Sequence, residues 1–244
     1  MPANVKTKMY VGEKPWHGLG TYVGDREVTA AQAIEAAGLD WEVKLYPILV
    51  NTQADPAGPV GLLPFEGRWA TVGMMPEGPT PLGVVRDRYE PVQNRQAFSF
   101  FDALVGEGQA IYHTAGCLGR GERVWVLAKL PGTIAPANRP DDKVEKFLLL
   151  HTSHDGTVQV GVSYTPTRVV CENTLAVALA QAGQQQFKVR HTASAMTKVA
   201  AARQMLGLAL TWYDELAQRI SSLDAQTFTR LAMAELAQVL IPEP

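Results

Sequence analysis

The chain has 244 residues, 46% of them hydrophobic and 19% charged, with 22 Lys and Arg against 24 Asp and Glu for a formal net charge of -2. That length buries a large core, and that composition belongs to ordinary globular proteins and excludes a disordered chain. A chain so close to neutral has no global basic field, so nucleic-acid binding has to come from a local patch.

Near the N-terminus, EKPWHGLGTYV places Pro15, Gly18 and Gly20 where they interrupt regular structure and leave Trp16 and His17 on a constrained loop. A loop Trp is expected to pin this arm to the core. Thr29 with Gln32 three residues later reads as a capping box for a short helix, AAQAIEAA, that ends at Gly38. WEVKLYPILV then reads as a strand, broken by a Pro- and Gly-rich loop from Asp55 to Gly67, and RWATVGMM and PLGVVRDRYEPV as two more strands around a turn. NRQAFSFFDALVGEG is an amphipathic helix with Ala97, Phe98, Phe101, Leu104 and Val105 on one stripe.

Residues 109–182 carry the central expectation: two β-hairpins followed at once by a helix. In the second hairpin, Asp155-Gly156 between alternating runs predicts a two-residue turn. That register pairs Ser153 with Val158, His151 with Val160, Leu149 with Val162 and Phe147 with Tyr164 on the core face, because side chains alternate along a strand. In the first hairpin, a turn at Gly119-Arg120 puts Ile111, His113, Ala115 and Cys117 beside Val124, Val126, Ala128 and Leu130. The opposite face then holds Tyr112 and Trp125 between Arg123 and Lys129. Rings flanked by cations suit stacked bases with phosphates held alongside. The alternative is that Trp125 and Tyr112 lie under a helix while the cations reach past its edge. The Pro-rich segment at 131–142 reads as a long exposed loop suited to partner contact.

After the helix that starts near Glu172, QQFKVRHT reads as a short strand, followed by helices from about Ser194 to Ser221 and, capped by Asp224, from Ala225 to Leu240. No acidic residue occurs between Glu172 and Asp214, a window that holds Lys188, Arg190, His191, Lys198 and Arg203. Charge runs are commonly a solvated face, and this one adjoins the hairpin module. The fold class expected is α+β: an antiparallel sheet built on two β-hairpins followed by a helix (a β-β-β-α type core), joined by the strands near 41–50 and 69–86, with a C-terminal helical segment. The domain reading is a core over 1–185 and a basic strand plus C-terminal helices over 186–244.

Chemical carriers are sparse. His151 and His154, three apart on a strand, point to opposite faces and do not share a metal. Cys171 stands at a strand-to-helix junction, where a thiol is either activated as a nucleophile or simply buried. Cys117 and Cys171 form neither a disulfide framework nor a C-x-x-C site, which suits a reducing cytoplasm. No apolar h-region opens the chain and no run of 18 apolar residues occurs, so neither signal peptide nor membrane span is expected. No nucleophile elbow, Walker loop or dinucleotide fingerprint is present, so the expectation is a non-enzyme with no cofactor and no metal.

PWHGLG, PLGVVRDRYEPVQN, HTSHDG and TRVVCENTLAVAL, in that order, resemble the bacterial phage/plasmid-like protein family, also known as domain of unknown function 932. Glu172 stands where many members carry Asn, and members usually run on beyond the IPEP at which this chain stops. The strand and helix order is also similar to the core of single-strand annealing proteins of the eukaryotic recombination mediator type and their phage relatives. These resemblances imply a single-stranded DNA-binding, annealing protein of a phage or plasmid recombination system. It would work as a side-by-side homo-oligomer, a ring or filament, with a host or phage single-strand-binding protein as a further partner. Tyr112, Arg123, Trp125, Lys129, Arg168, Lys188, Arg190, Lys198 and Arg203 are the candidate DNA-binding residues. The competing expectations are a protein-interaction module acting on a host factor and a Cys171-dependent enzyme.

Overall fold

A computed structural model describes residues 4–25, 28–52, 61–99, 110–135, 141–182, 186–195, 197–198, 213 and 216–222. The strands are β1 (Val5–Tyr10), β2 (Thr21–Tyr22), β3 (Val43–Asn51), β4 (Leu62–Met75), β5 (Gly78–Arg86), β6 (Ile111–Leu118), β7 (Arg123–Ile134), β8 (Val144–Ser153), β9 (Val160–Thr165) and β10 (Phe187–Val189). Between them lie the helices α1 (Ala30–Ala36), α2 over residues 94–99, and α3 (Glu172–Ala182). The protein is therefore α+β and mostly sheet. Among the described residues, no helix is long and apolar enough to cross a membrane.

A seven-stranded sheet runs in the order β10-β9-β8-β7-β6-β1-β2 and is antiparallel except where β1 meets β2. Its middle strands are buried on both faces. VWVLA in β7 and FLLL in β8 are unbroken apolar runs because neither side meets water. One face buries Val124, Val126, Ala128, Leu148, Leu150 and Val160 together with residues of α1, α2 and β3–β5; the other buries Trp125, Leu127, Phe147 and Leu149 against Leu175 and Ala178 of α3.

The four strands expected over 109–165 do form one antiparallel sheet, but their neighbours differ from expectation. β1, β2 and β10 extend them, while β3, β4 and β5 make a separate three-stranded sheet. β1 lies in the segment read as an irregular arm. Trp16 is 70% exposed and sits edge-on to His17, and His17 holds the loop instead, with Nε2 3.1 Å from the Val170 carbonyl and Nδ1 accepting from Leu19 N–H.

Both hairpin registers are corrected. In the first, Leu118 pairs with Arg123 across a turn at 119–122, which slides the register without changing faces as far as Thr114. A bulge between Tyr112 and Thr114 then turns Tyr112 onto the opposite face, because one extra residue reverses the alternation. In the second, Leu149 pairs with Ser163 and His151 with Gly161, a slip that puts Val160, Val162 and Tyr164 on the face away from His151. The cause is local. Ser153 Oγ accepts from Val158 N–H at 2.9 Å and Asp155 Oδ1 accepts from Thr157 N–H at 2.9 Å, so side chains build a longer turn with Gly156 at φ 75°.

The α1 capping box is present as expected, with Gln32 N–H donating to Thr29 Oγ1 and Thr29 N–H to Gln32 Oε1. Gly38 at φ 63° closes the helix, its N–H reaching Glu35 and that of Leu39 reaching Ile34. The exposed loop expected at 131–142 is shortened at its start, since β7 continues to Ile134, while β8 begins at Val144 as expected. β10 continues the main sheet across the division expected at 185, pairing Lys188 with Gly161. Of the C-terminal helices, residues 195, 197–198, 213 and 216–222 are helical, and the one expected at 225–240 lies outside the described residues. Tyr213 nonetheless docks on the core, its hydroxyl accepting from Phe147 N–H at 2.8 Å.

Candidate nucleic-acid interface

The ring-and-cation face expected on β6 and β7 does not exist as a surface. Trp125 is fully buried beneath α3, and its Nε1 donates to Thr114 Oγ1 at 3.2 Å. Thr114 in turn donates to the Val169 carbonyl at 2.6 Å. Tyr112 is 1% exposed on the other face, its hydroxyl donating to the Phe98 carbonyl at 2.9 Å. Neither ring can receive a base. An indole and a phenol ring gain more from the core than from solvent, and the bulge separates them across the sheet.

The expected cations divide by what holds them. Arg123 lies 3.7 Å from Glu172, and Lys129 is paired with Glu145. Arg168 Nη2 donates to the carbonyls of Val11 and Glu13, fastening the N-terminal loop to the segment before α3. These side chains are engaged structurally. Lys188, Arg190 and Lys198 are exposed, and Arg203 lies outside the described residues. Lys188 faces the α3 side, opposite Gly161.

A ring between cations does occur, on the small sheet. Tyr46 pairs with Ala70, and Ala70 with Val84, forming a row across β3, β4 and β5 in which Tyr46 is 43% and Val84 60% exposed. Two residues along β3 on the same side is Lys44, and two residues along β4 and β5 in the other direction are Arg68 and Arg86. At about 3.4 Å per residue, each charged row stands about 7 Å from the tyrosine row. Arg68 and Arg86 are directly paired across the strands. Opposed like charges destabilise a sheet, and an anion between them removes that cost. Among the described residues neither arginine has an ion pair, and Lys44 has only an exposed Glu42 at 3.8 Å. The buried side of the same strands explains why this face is free: Val43, Thr71, Met75 and Val85 point into the core.

Past Arg86 the chain turns through Asp87 and the exposed Arg88 to Glu90, whose N–H donates to the His191 carbonyl at 3.2 Å. Tyr89 stacks on His191 with centroids 4.7 Å apart, and its hydroxyl donates to the Ser153 carbonyl. Among the described residues, Arg190 is the expected residue that adjoins this contact, through its chain neighbour His191. Lys44, Tyr46, Arg68 and Arg86 were missed although their segments read as strands, because nothing in the sequence set the register that aligns them. The signal available was alternation: Lys44, Tyr46 and Arg68, Ala70, Val72 each fall at even spacing.

No curated protein and no solved structure matches the chain. The family model described as Domain of unknown function (DUF932) matches residues 81–244, well over half of the chain, and the protein belongs to that family.

Proposed function

We propose that the protein is a single-stranded DNA-binding, annealing-type protein of a phage or plasmid recombination system, working as a side-by-side oligomer. The observation that carries this reading is the outer face of β3–β5, where Tyr46 lies between Lys44 on one side and the opposed Arg68 and Arg86 on the other. Phosphates bind between the arginines while a base stacks on the tyrosine ring. Stacking engages only the π-face and leaves the Watson–Crick edge open to a second strand, which is what annealing requires. The strand and helix order over β6–β9 and α3, which the sequence reading likened to annealing proteins, is in keeping with it.

One protomer offers few contacts, and lining up weak sites along a strand multiplies them. Three cations per protomer correspond to a log-log salt slope of about -2 for a single copy. Fluorescence anisotropy with oligo-dT tests this. The expected result is binding at low salt that weakens steeply as salt rises; no binding by the folded wild-type protein at low salt overturns it.

A further inference from the structure

Between α3 and the seven-stranded sheet lies a cavity of about 170 Å³ whose apolar walls are Leu118, Val158, Leu175 and Leu179, and His151 of β8 lines it too. A histidine is out of pattern there. Trp125, Leu127, Phe147 and Leu149 on the same face of the sheet are apolar and packed against the helix. His151 stands directly opposite Trp125 in register and is 3% exposed. Its Nδ1 has no hydrogen-bond partner among the described residues. A buried nitrogen left unpaired destabilises a fold, so its presence calls for a partner.

Strand β9 is shaped around this ring. A Cβ at Gly161 would lie 2.2 Å from His151 Cε1 and 2.4 Å from Nε2, so only glycine lets the imidazole lie against the strand. Burial, with the exposed Lys188 adding to it, holds the ring's pKa down to about 4 and keeps it neutral near pH 7.

Size and charge narrow what the cavity takes. A buried water is held by roughly two to four hydrogen bonds, and leucine and valine walls supply none. A dry cavity of about 150 Å³ accommodates one benzene ring, so this one fits a six-membered ring with a single small substituent. Arg123 and Glu172 also line the cavity and mark its open side, 3.7 Å apart with side chains 42% and 43% exposed. Each already answers the other's charge. An ionic guest would lose its hydration without gaining a counter-charge, which favours a neutral one. A hydroxyl both donates and accepts, so it matches the imidazole in either tautomer.

We propose that the cavity is a binding site for a small uncharged phenol, its ring against Leu118, Val158, Leu175 and Leu179 and its hydroxyl hydrogen-bonded to His151. The site lies on the α3 side of the main sheet, across from β3–β5, and does not rest on the DNA reading.

Titration of the full chain with phenol, followed through the ring-nitrogen resonances of isotope-labelled histidine, tests it. A saturable shift at His151 is expected. Toluene fills the same space without the hydrogen bond and should bind roughly 10-fold more weakly, while benzoate, being charged, should not compete. His151→Leu should take up phenol and toluene alike, and loss of an unpaired nitrogen should leave it folded. The comparison of phenol with toluene uses the unmodified protein, so it decides the matter if that variant misfolds. No saturable shift at His151, equal affinity for toluene and phenol, benzoate competing as well as phenol, or a phenol preference that persists in His151→Leu each overturn the proposal. The first of these results means that the cavity holds water only.

Discussion

Lys8 Nζ lies 3.3 Å from His17 Nε2, and both nitrogens converge on the carbonyl of Val170, at 3.3 and 3.1 Å. Lys8 is 2% exposed, and among the described residues no carboxylate pairs with it. Burial, with the Arg168 guanidinium adding to it, pushes the lysine pKa down to about 8. His17 is held below its ordinary value by its own partial burial and by Lys8. The unfolded chain keeps the Lys8 proton until near pH 10.5, so between pH 8 and 10 the unfolded state binds more protons and stability rises with pH. The rise is about 2 kcal/mol, since each unit is worth about 1.4 kcal/mol. Urea titrations should show it in the wild type and not in Lys8→Met.

The buried histidines act in the same sense at lower pH, so acid destabilises the protein. Burial lowers His113 and His151 to about 4 and His154 to about 3. His154 sits edge-on to Trp41 at 5.4 Å and its Nε2 is 3.0 Å from Asn94 Oδ1. Unfolded histidines take up protons below about pH 6.5 while these remain neutral, so stability falls as pH drops from 7 to 5. Each contributes about 2 kcal/mol and the three together on the order of 5 kcal/mol, a large part of a typical domain's stability. Chemical denaturation across that range should show the fall, and His154→Gln should reduce it.

Trp125 is a core residue, so Trp125→Ala should cost about 3–5 kcal/mol. Gly116 shows how closely it is packed: a Cβ there would lie 2.5 Å from the Thr7 carbonyl oxygen and 2.6 Å from the Trp125 ring. Gly116→Ala should therefore destabilise too, by forcing the indole or β1 to move. Oligo-dT affinity of whatever fraction stays folded should be unchanged in both, as read by anisotropy at matched folded concentration.

The sequence shows its local devices best. Thr29 and Gln32 cap α1 because every partner lies within one turn of chain. The adjacency of β6 through β9 is legible for the same reason, since each strand meets the next in sequence. Register is not. Asp155-Gly156 suggests a two-residue turn, yet the Ser153 hydroxyl and Asp155 carboxylate stabilise a longer one and reverse every side chain of β9. The unbroken apolar runs in β7 and β8 fit either face, so alternation could not show that Trp125 faces a helix. The expected DNA-binding residues do not include Lys44, Tyr46, Arg68 or Arg86. The opposition of Arg68 and Arg86 depends on a bulge between Thr71 and Val72 that no spacing rule supplies.

Cys171 is 1% exposed and its N–H donates to Thr174 Oγ1 at 3.0 Å. Cys117 is equally buried, and burial raises its thiol pKa. Both thiols should react with iodoacetamide only as fast as the chain opens. Rapid labelling of native Cys171 at neutral pH would instead favour a thiol-dependent enzyme.

Charge and stacking on the small sheet separate by salt dependence. Arg86 is exposed and unpaired among the described residues, and its contribution to DNA binding is a released counterion. Arg86→Ala should weaken oligo-dT binding and flatten the salt slope by about 0.7, with Arg68→Ala matching it. Tyr46 sits between the charged rows with 43% of its surface free, and its contribution is a ring face. Tyr46→Ala should cost about 1–3 kcal/mol at every salt concentration and leave the slope alone, and Tyr46→Phe should restore most of the loss because stacking does not need the hydroxyl. Arg123→Ala, paired to Glu172 on the far face, provides the contrast. Its affinity should stay at the wild-type value. If Arg123→Ala weakens binding as much as Arg86→Ala does, DNA lies on the α3 face and the β3–β5 surface is not the interface.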